Sequence, residues 1–189
     1  MEPILKQVNV KLLTDNIFKL LDNDWMLITA GTKDSFNTMT ASWGSFGILW
    51  NKPVAIGFIR PQRHTFEFVN TSDFFTLSFF NEKYRDVLNF CGHHSGRSVN
   101  KILKTGITIA STKNGNVYFD EARLVFECKK IYSDDLKEEN FIQADLMQKI
   151  YPKKDFHRFF IGEITSCLSV EIPPKEIGLK FDEMKGDNI

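Results

Sequence analysis

Arg60, Arg63, His64 and Thr65 fall in one short window, Arg60-Pro61-Gln62-Arg63-His64-Thr65, at the end of an apolar run. Guanidinium groups give paired hydrogen bonds to phosphate oxygens, a Thr hydroxyl adds a donor, and a helix opening at Thr65 would offer free backbone N–H groups. The window reads as an anion clamp, with a solvated basic loop as the alternative. His94-Ser95-Gly96-Arg97, followed by Lys101, is a second group of donors, and Gly96 lets the backbone come close to a ligand. A polar loop at an interface has the same composition. In Asn37-Thr38-Met39-Thr40-Ala41-Ser42-Trp43-Gly44, hydroxylated residues alternate with larger ones, so a strand here carries a row of small hydroxyls on one face. A planar ligand would fit against such a face, as would plain water. His157 opens a later apolar segment, where an imidazole pairs with an amide, stabilises charge or only ties a strand end.

Other chemistries lack residues. His93 and His94 are adjacent, with no carboxylate or third histidine at helical spacing, so no metal site is expected. Cys91, Cys128 and Cys167 are odd in number, far apart and free of a C-x-x-C pair, which predicts reduced, buried thiols. No Ser-His-Asp ordering, nucleophile elbow, P-loop or Rossmann glycine pattern is present. Basic and acidic residues both number 24, so no long-range field draws nucleic acid or an anionic membrane. Residues 1–9 hold no apolar signal segment and no window reaches the length of a membrane span, so a cytoplasmic protein is expected.

These groups need elements to position them. Residues 25–30, 36–43 and 54–59 read as three strands, separated by turns at 31–35 and at Asn51-Lys52-Pro53. Thr65 is placed to cap a helix over 66–69, residues 74–80 read as a buried strand, and Asn81 is placed to cap a helix ending just before Gly92. Strands are expected at 107–109, 117–119, 123–132 and 157–168, with loop plus helix over 134–151. Short strands without regular strand–helix alternation predict a mainly β fold, an antiparallel closed or split barrel with a few flanking helices. The layout is an extension over 1–15, one domain over 16–170, and an arm or tail over 171–189.

Taken in order, these segments, with His157-Arg158-Phe159-Phe160-Ile161-Gly162-Glu163-Ile164, resemble the flavin reductase family, whose domain is an FMN-binding split barrel. The resemblance covers residues 16–169. It implies that Met39, Thr40, Ala41 and Ser42 line the isoalloxazine of FMN, with Asn37, Thr38 and Trp43 beside them. Arg60, Arg63 and Thr65 then hold the phosphate, flanked by His64. The resemblance sets His94, Ser95, Gly96, Arg97 and Lys101 in a neighbouring loop of the same subunit or a partner, and Asn81 completes the cofactor-binding set. His157 looks like the nicotinamide-side catalytic histidine. The implied reaction is hydride transfer from NADH or NADPH to flavin N5, with FAD a possible substitute for FMN. The flavin then passes electrons to a second flavin or a partner protein, and the implied assembly is a homodimer with the cofactor near the subunit interface. A flavoredoxin-like electron carrier reduced by another protein is the second reading. A split-barrel binder of haem or an oxidase of a pyridoxine-type phosphate is the third. Residues 133–152 and the tail after Glu171 depart from the pattern, and Trp43 and Trp50 are bulky enough to crowd a ring face.

Overall fold

The computed structural model describes residues 4–171. In chain order its first strands are β1 (Lys6–Gln7), β2 (Met26–Thr32), β3 (Ser35–Ala41), β4 (Gly44–Leu49) and β5 (Lys52–Ile59). The short helix α1 (Ile17–Lys19) precedes β2 and widens into a π turn over Leu20–Asp24. After β5 come α2 (His64–Thr71), β6 (Phe74–Phe79), α3 (Arg85–His93) and α4 (Lys101–Thr105). The chain closes with β7 (Ile109–Ser111), β8 (Val117–Phe119), β9 (Leu124–Asp135), α5 (Ala144–Ile150) and β10 (Arg158–Ser169).

The main sheet is antiparallel in the order β3-β2-β6-β9-β10-β5-β4, with β1 added beside the end of β10. Its two ends, β3 and β4, are not paired with each other, so the sheet curls without closing. This is the expected split barrel. Alternation puts Met26, Ile28, Phe75, Leu77, Phe79, Phe126 and Phe160 in one cluster inside the curl. Leu27, Phe80 and Val125 face the other way, into a second cluster covered by Leu88 and Cys91 of α3 and by Val117 and Phe119 of the β7–β8 hairpin. Both faces of β2 are therefore dry, and its sequence reads as a continuous apolar run. Residues ahead of α1 also pack on the barrel: β1 pairs with β10, and Val8 and Val10 lie against the inner cluster.

Four expectations need correction. Residues 24–59 hold four strands, because β4 is one that its glycines and exposed positions conceal in the sequence. The turn joining β4 to β5 is Trp50-Asn51, both at positive φ (50° and 58°), and Lys52 and Pro53 already belong to β5. Trp50 thus sits at a hairpin tip. The helix assigned to Thr65 starts two residues earlier, with Arg63 in the cap position and no side-chain cap bond. Gly92 lies inside α3, where a Cβ would come within 3.4 Å of the Thr40 side chain, so its smallness serves the packing of α3 on β3. The expected tail after Glu171 lies outside the described residues.

Candidate functional site

The wall of the site is the free edge of β3. Thr38 and Thr29 stand opposite each other, their hydroxyls bonded at 2.8 Å, while the Thr38 carbonyl points outward and accepts from Lys101 Nζ at 2.7 Å. A strand residue directs its N–H and C=O to the same side, and the side repeats every second residue. Thr40 therefore also turns its backbone N–H and C=O to the unpaired edge. Of the hydroxyl row, Ser42 lines the cavity, but the two on β3 itself are occupied by protein partners. Thr38 bonds to Thr29, and the Thr40 hydroxyl donates to the Leu88 carbonyl of α3. Met39 and Ala41 pack into the inner cluster, so β3 offers the cavity mainly backbone.

That edge faces the start of α2 across a cavity of about 520 Å³, within the usual range for small-molecule sites of roughly 300–1,000 Å³. The first amides of α2 lack a side-chain cap, and a helix start of this kind favours negative charge. Arg63 is exposed there and gives one bond, from Nη1 to the Gly92 carbonyl at 2.9 Å. Thr65 is buried, and its hydroxyl accepts from Asn37 Nδ2 at 2.7 Å, leaving its own proton free to donate. His64 Nδ1 is buried without a hydrogen-bond partner. Gly96 closes the cradle: a Cβ there would lie 2.0 Å from Asn37 Oδ1, so only glycine lets this loop seat against β3.

Lys101 is buried, and burial pushes its ammonium pKa down. Its Nζ bonds to the carbonyls of Thr38 and Cys91 at 2.7 and 2.9 Å, which clasps α4, α3 and β3 together at the cavity rim. His93 and His94 each bond through Nδ1 to a carbonyl of α3, and the His94 ring stacks on Phe90 with centroids 4.0 Å apart.

On the opposite rim, His157 is buried and its pKa is pushed down to about 4, first by burial and then by the positive charge of Arg60. Its Nδ1 lies 2.8 Å from the Tyr151 hydroxyl. Burial raises the Tyr151 pKa, so the phenol keeps its proton and Nδ1 accepts it. The imidazole is then neutral with its own proton on Nε2. Its ring packs 5.0 Å from that of Trp43. Arg60 turns away from the α2 amides: its guanidinium pairs with Asp155, bonds to the Ile150 carbonyl at 3.1 Å and lies 5.3 Å from the Tyr151 ring centre.

Of the expected residues, the cavity is lined by Asn37 and Met39 through Ala41 of β3 and by Ser42 and Trp43 just beyond it. Arg60, Arg63, His64 and Thr65 line it from the α2 side, and His94, Ser95, Gly96, Lys101 and His157 complete it. Three stand elsewhere. Thr38 is buried against Thr29, Arg97 pairs with Glu67 at 2.5 Å and the Gln62 carbonyl at 3.1 Å, and Asn81 is exposed ahead of a 3₁₀ turn. Phe58, Gln62 and His93 line the cavity unforeseen. Tyr151, which holds His157, falls in the stretch expected as loop plus helix, and Asp155, which holds Arg60, lies in no expected element, because no local pattern marks a side chain whose partner is far along the chain. Among the described residues, no group of three or more His, Cys, Asp or Glu is placed to hold a metal ion. None of their helices is long and apolar enough to cross a membrane.

An open-ended antiparallel barrel with its cavity between an edge strand and a helix start defines a split-barrel domain. A family model described as the flavin reductase like domain matches residues 20–182, and the chain belongs to that family. Solved structures share the fold. An FMN-binding domain of a flavin reductases-like enzyme from Shewanella baltica is 17% identical, with 89% of this chain and 78% of that one covered at a TM-score of 0.65. Flavoredoxin of Desulfovibrio vulgaris is 21% identical over 79% of this chain and 75% of that one, TM-score 0.60. A split-barrel domain from Shewanella frigidimarina is 21% identical over 79% and 69%, TM-score 0.58. Comparison with curated proteins returned no match.

Proposed function

We propose that the cavity binds FMN and that the protein is an NAD(P)H-dependent flavin reductase. The carrying observation is the pairing of an uncapped α2 start and exposed Arg63, donors suited to a phosphate, with the buried, unpartnered His64 Nδ1, which joins them when it carries the ring proton. Thr65 and Ser95 add hydroxyls beside it. The backbone edge of β3 supports the same reading, because a flavin ring carries carbonyls and nitrogens along one side and Thr40 has its amide free to meet them. FAD would need its extra nucleotide outside this cradle.

Bound flavin supplies hydride acceptance at N5. The chain's part is to orient and shield. His157 stays neutral and aims an Nε2 proton at the cavity, a donor for a nicotinamide carboxamide, and Trp43 limits the space beside it. Placing two rings in contact is most of such catalysis, and no strong acid or base is needed. The proposed assembly is a homodimer in the cytoplasm, with the seam near the cavity, delivering electrons to a second flavin or a partner protein.

One observation favours the carrier reading. The chain after β9 leans on the site through the Ile150 carbonyl, Tyr151 and Asp155, which narrows the approach for a dinucleotide. Both readings are separated by adding FMN and then NADH or NADPH without oxygen while recording absorbance. Bleaching of the flavin band by either nucleotide supports the reductase. A bound band that neither nucleotide bleaches supports the carrier, and failure to bind flavin removes both.

A further inference from the structure

A second recess of about 400 Å³ lies against the first and shares Ser42, Trp43 and Phe58 with it. α1 and the π turn supply Phe18, Leu21 and Asp22, and the chain after β9 supplies Leu136 and Tyr151. The Tyr151 hydroxyl is taken by His157, so this residue turns mainly ring surface to the recess. Phe18 is 84% exposed and Trp43 47%, leaving two large ring faces open to whatever enters.

The charges of the two spaces differ. Arg60, Arg63 and Lys101 line the first cavity. The recess has no Lys, Arg or His in its lining, and its one ionised group is the Asp22 carboxylate. An anion brought here would lose water and meet a like charge, whereas an uncharged ring would gain apolar contact on several sides.

We infer that this recess is a separate binding site for neutral, flat aromatic molecules and rejects their anionic analogues. Three of its walls, Ser42, Trp43 and Phe58, also line the first cavity, so the test compares the chain with and without FMN.

The test uses 2-naphthamide as neutral probe and 2-naphthalenesulfonate as anionic probe, titrated into the full chain and followed by NMR line broadening, with and without FMN. The neutral probe is expected to saturate in both cases, and the sulfonate to bind at least about fivefold more weakly through repulsion by Asp22. Phe18→Ala, at an exposed position, should weaken the neutral probe about fivefold, the worth of one aromatic contact, with unchanged melting temperature. Asp22→Asn should close the gap between the probes. The inference is overturned if neither probe saturates, if FMN displaces the naphthamide, if Phe18→Ala leaves its affinity intact, or if Asp22→Asn leaves the gap. A chain that fails to bind FMN but still binds naphthamide removes the proposed function and leaves this site standing.

Discussion

Arg60 and Arg63, three positions apart on one loop, end in opposite circumstances. Arg60 is bound to Asp155 and the Ile150 carbonyl, while Arg63 spends one bond on Gly92 and stands at the α2 start. Arg63→Ala should therefore raise the dissociation constant for FMN about 5- to 150-fold, the loss of one charge-assisted hydrogen bond worth roughly 1–3 kcal/mol. Arg60→Ala should chiefly lower the melting temperature, since it strands a carboxylate and a carbonyl. Flavin titration and thermal melts on both variants read the contrast, and equal effects of the two on affinity would remove Arg63 from its special role. His157 gives a pH prediction. Its folded pKa of about 4 lies below the free value of 6.5, so the unfolded chain takes up the proton first as pH falls. The stability linked to its neutral form is intact above pH 6.5 and is lost between there and about pH 4, by up to ~3 kcal/mol. Melts over that range should show the wild type losing more stability than His157→Gln.

At the scale of elements, the close approach of strand to strand and loop to strand rests on two glycines. A Cβ at Gly162 of β10 would lie 2.6 Å from Cys128 Cβ and 2.8 Å from the Phe75 ring, beside a register shift in the β9–β10 ladder. Gly162→Ala should destabilise the protein by about 1–3 kcal/mol through overpacking, measured by chemical denaturation. Gly96 acts on the site: Gly96→Ala must push its loop off Asn37, so FMN affinity is expected to fall about tenfold or more with the melting temperature nearly kept. Most strands were legible because their alternation or apolar runs are local signals, as in β2 and β6. β4 was not, since Gly44, Ser45 and Gly47 resemble loop composition and become a strand only by pairing with β5. The hydroxyl row on β3 was visible, but its engagement by Thr29 and α3 was not.

For the whole molecule, the two ends of the sheet, β3 and β4, leave backbone edges unpaired among the described residues, and an unpaired edge invites a second chain. The proposed homodimer is expected to appear by light scattering at micromolar concentration with the mass of two chains, and dilution to monomer should release FMN. A monomer that keeps its flavin would overturn this arrangement.

The family resemblance chose a split over a closed barrel; by itself the sequence pattern determined the mainly β, antiparallel barrel class and three of the groups that meet at the cavity: the small-residue strand, the Arg63-His64-Thr65 loop and His157. These are carried by side-chain period and by residue types adjacent along the chain. The tertiary structure alone decided that Arg60 is neutralised, that Thr38, Asn81 and Arg97 stand away from the cavity, and that Tyr151 fixes the His157 proton. Each of those outcomes depends on a partner that only folding brings within hydrogen-bond reach, and the strength of a charge or donor is set by that partner and by lost water.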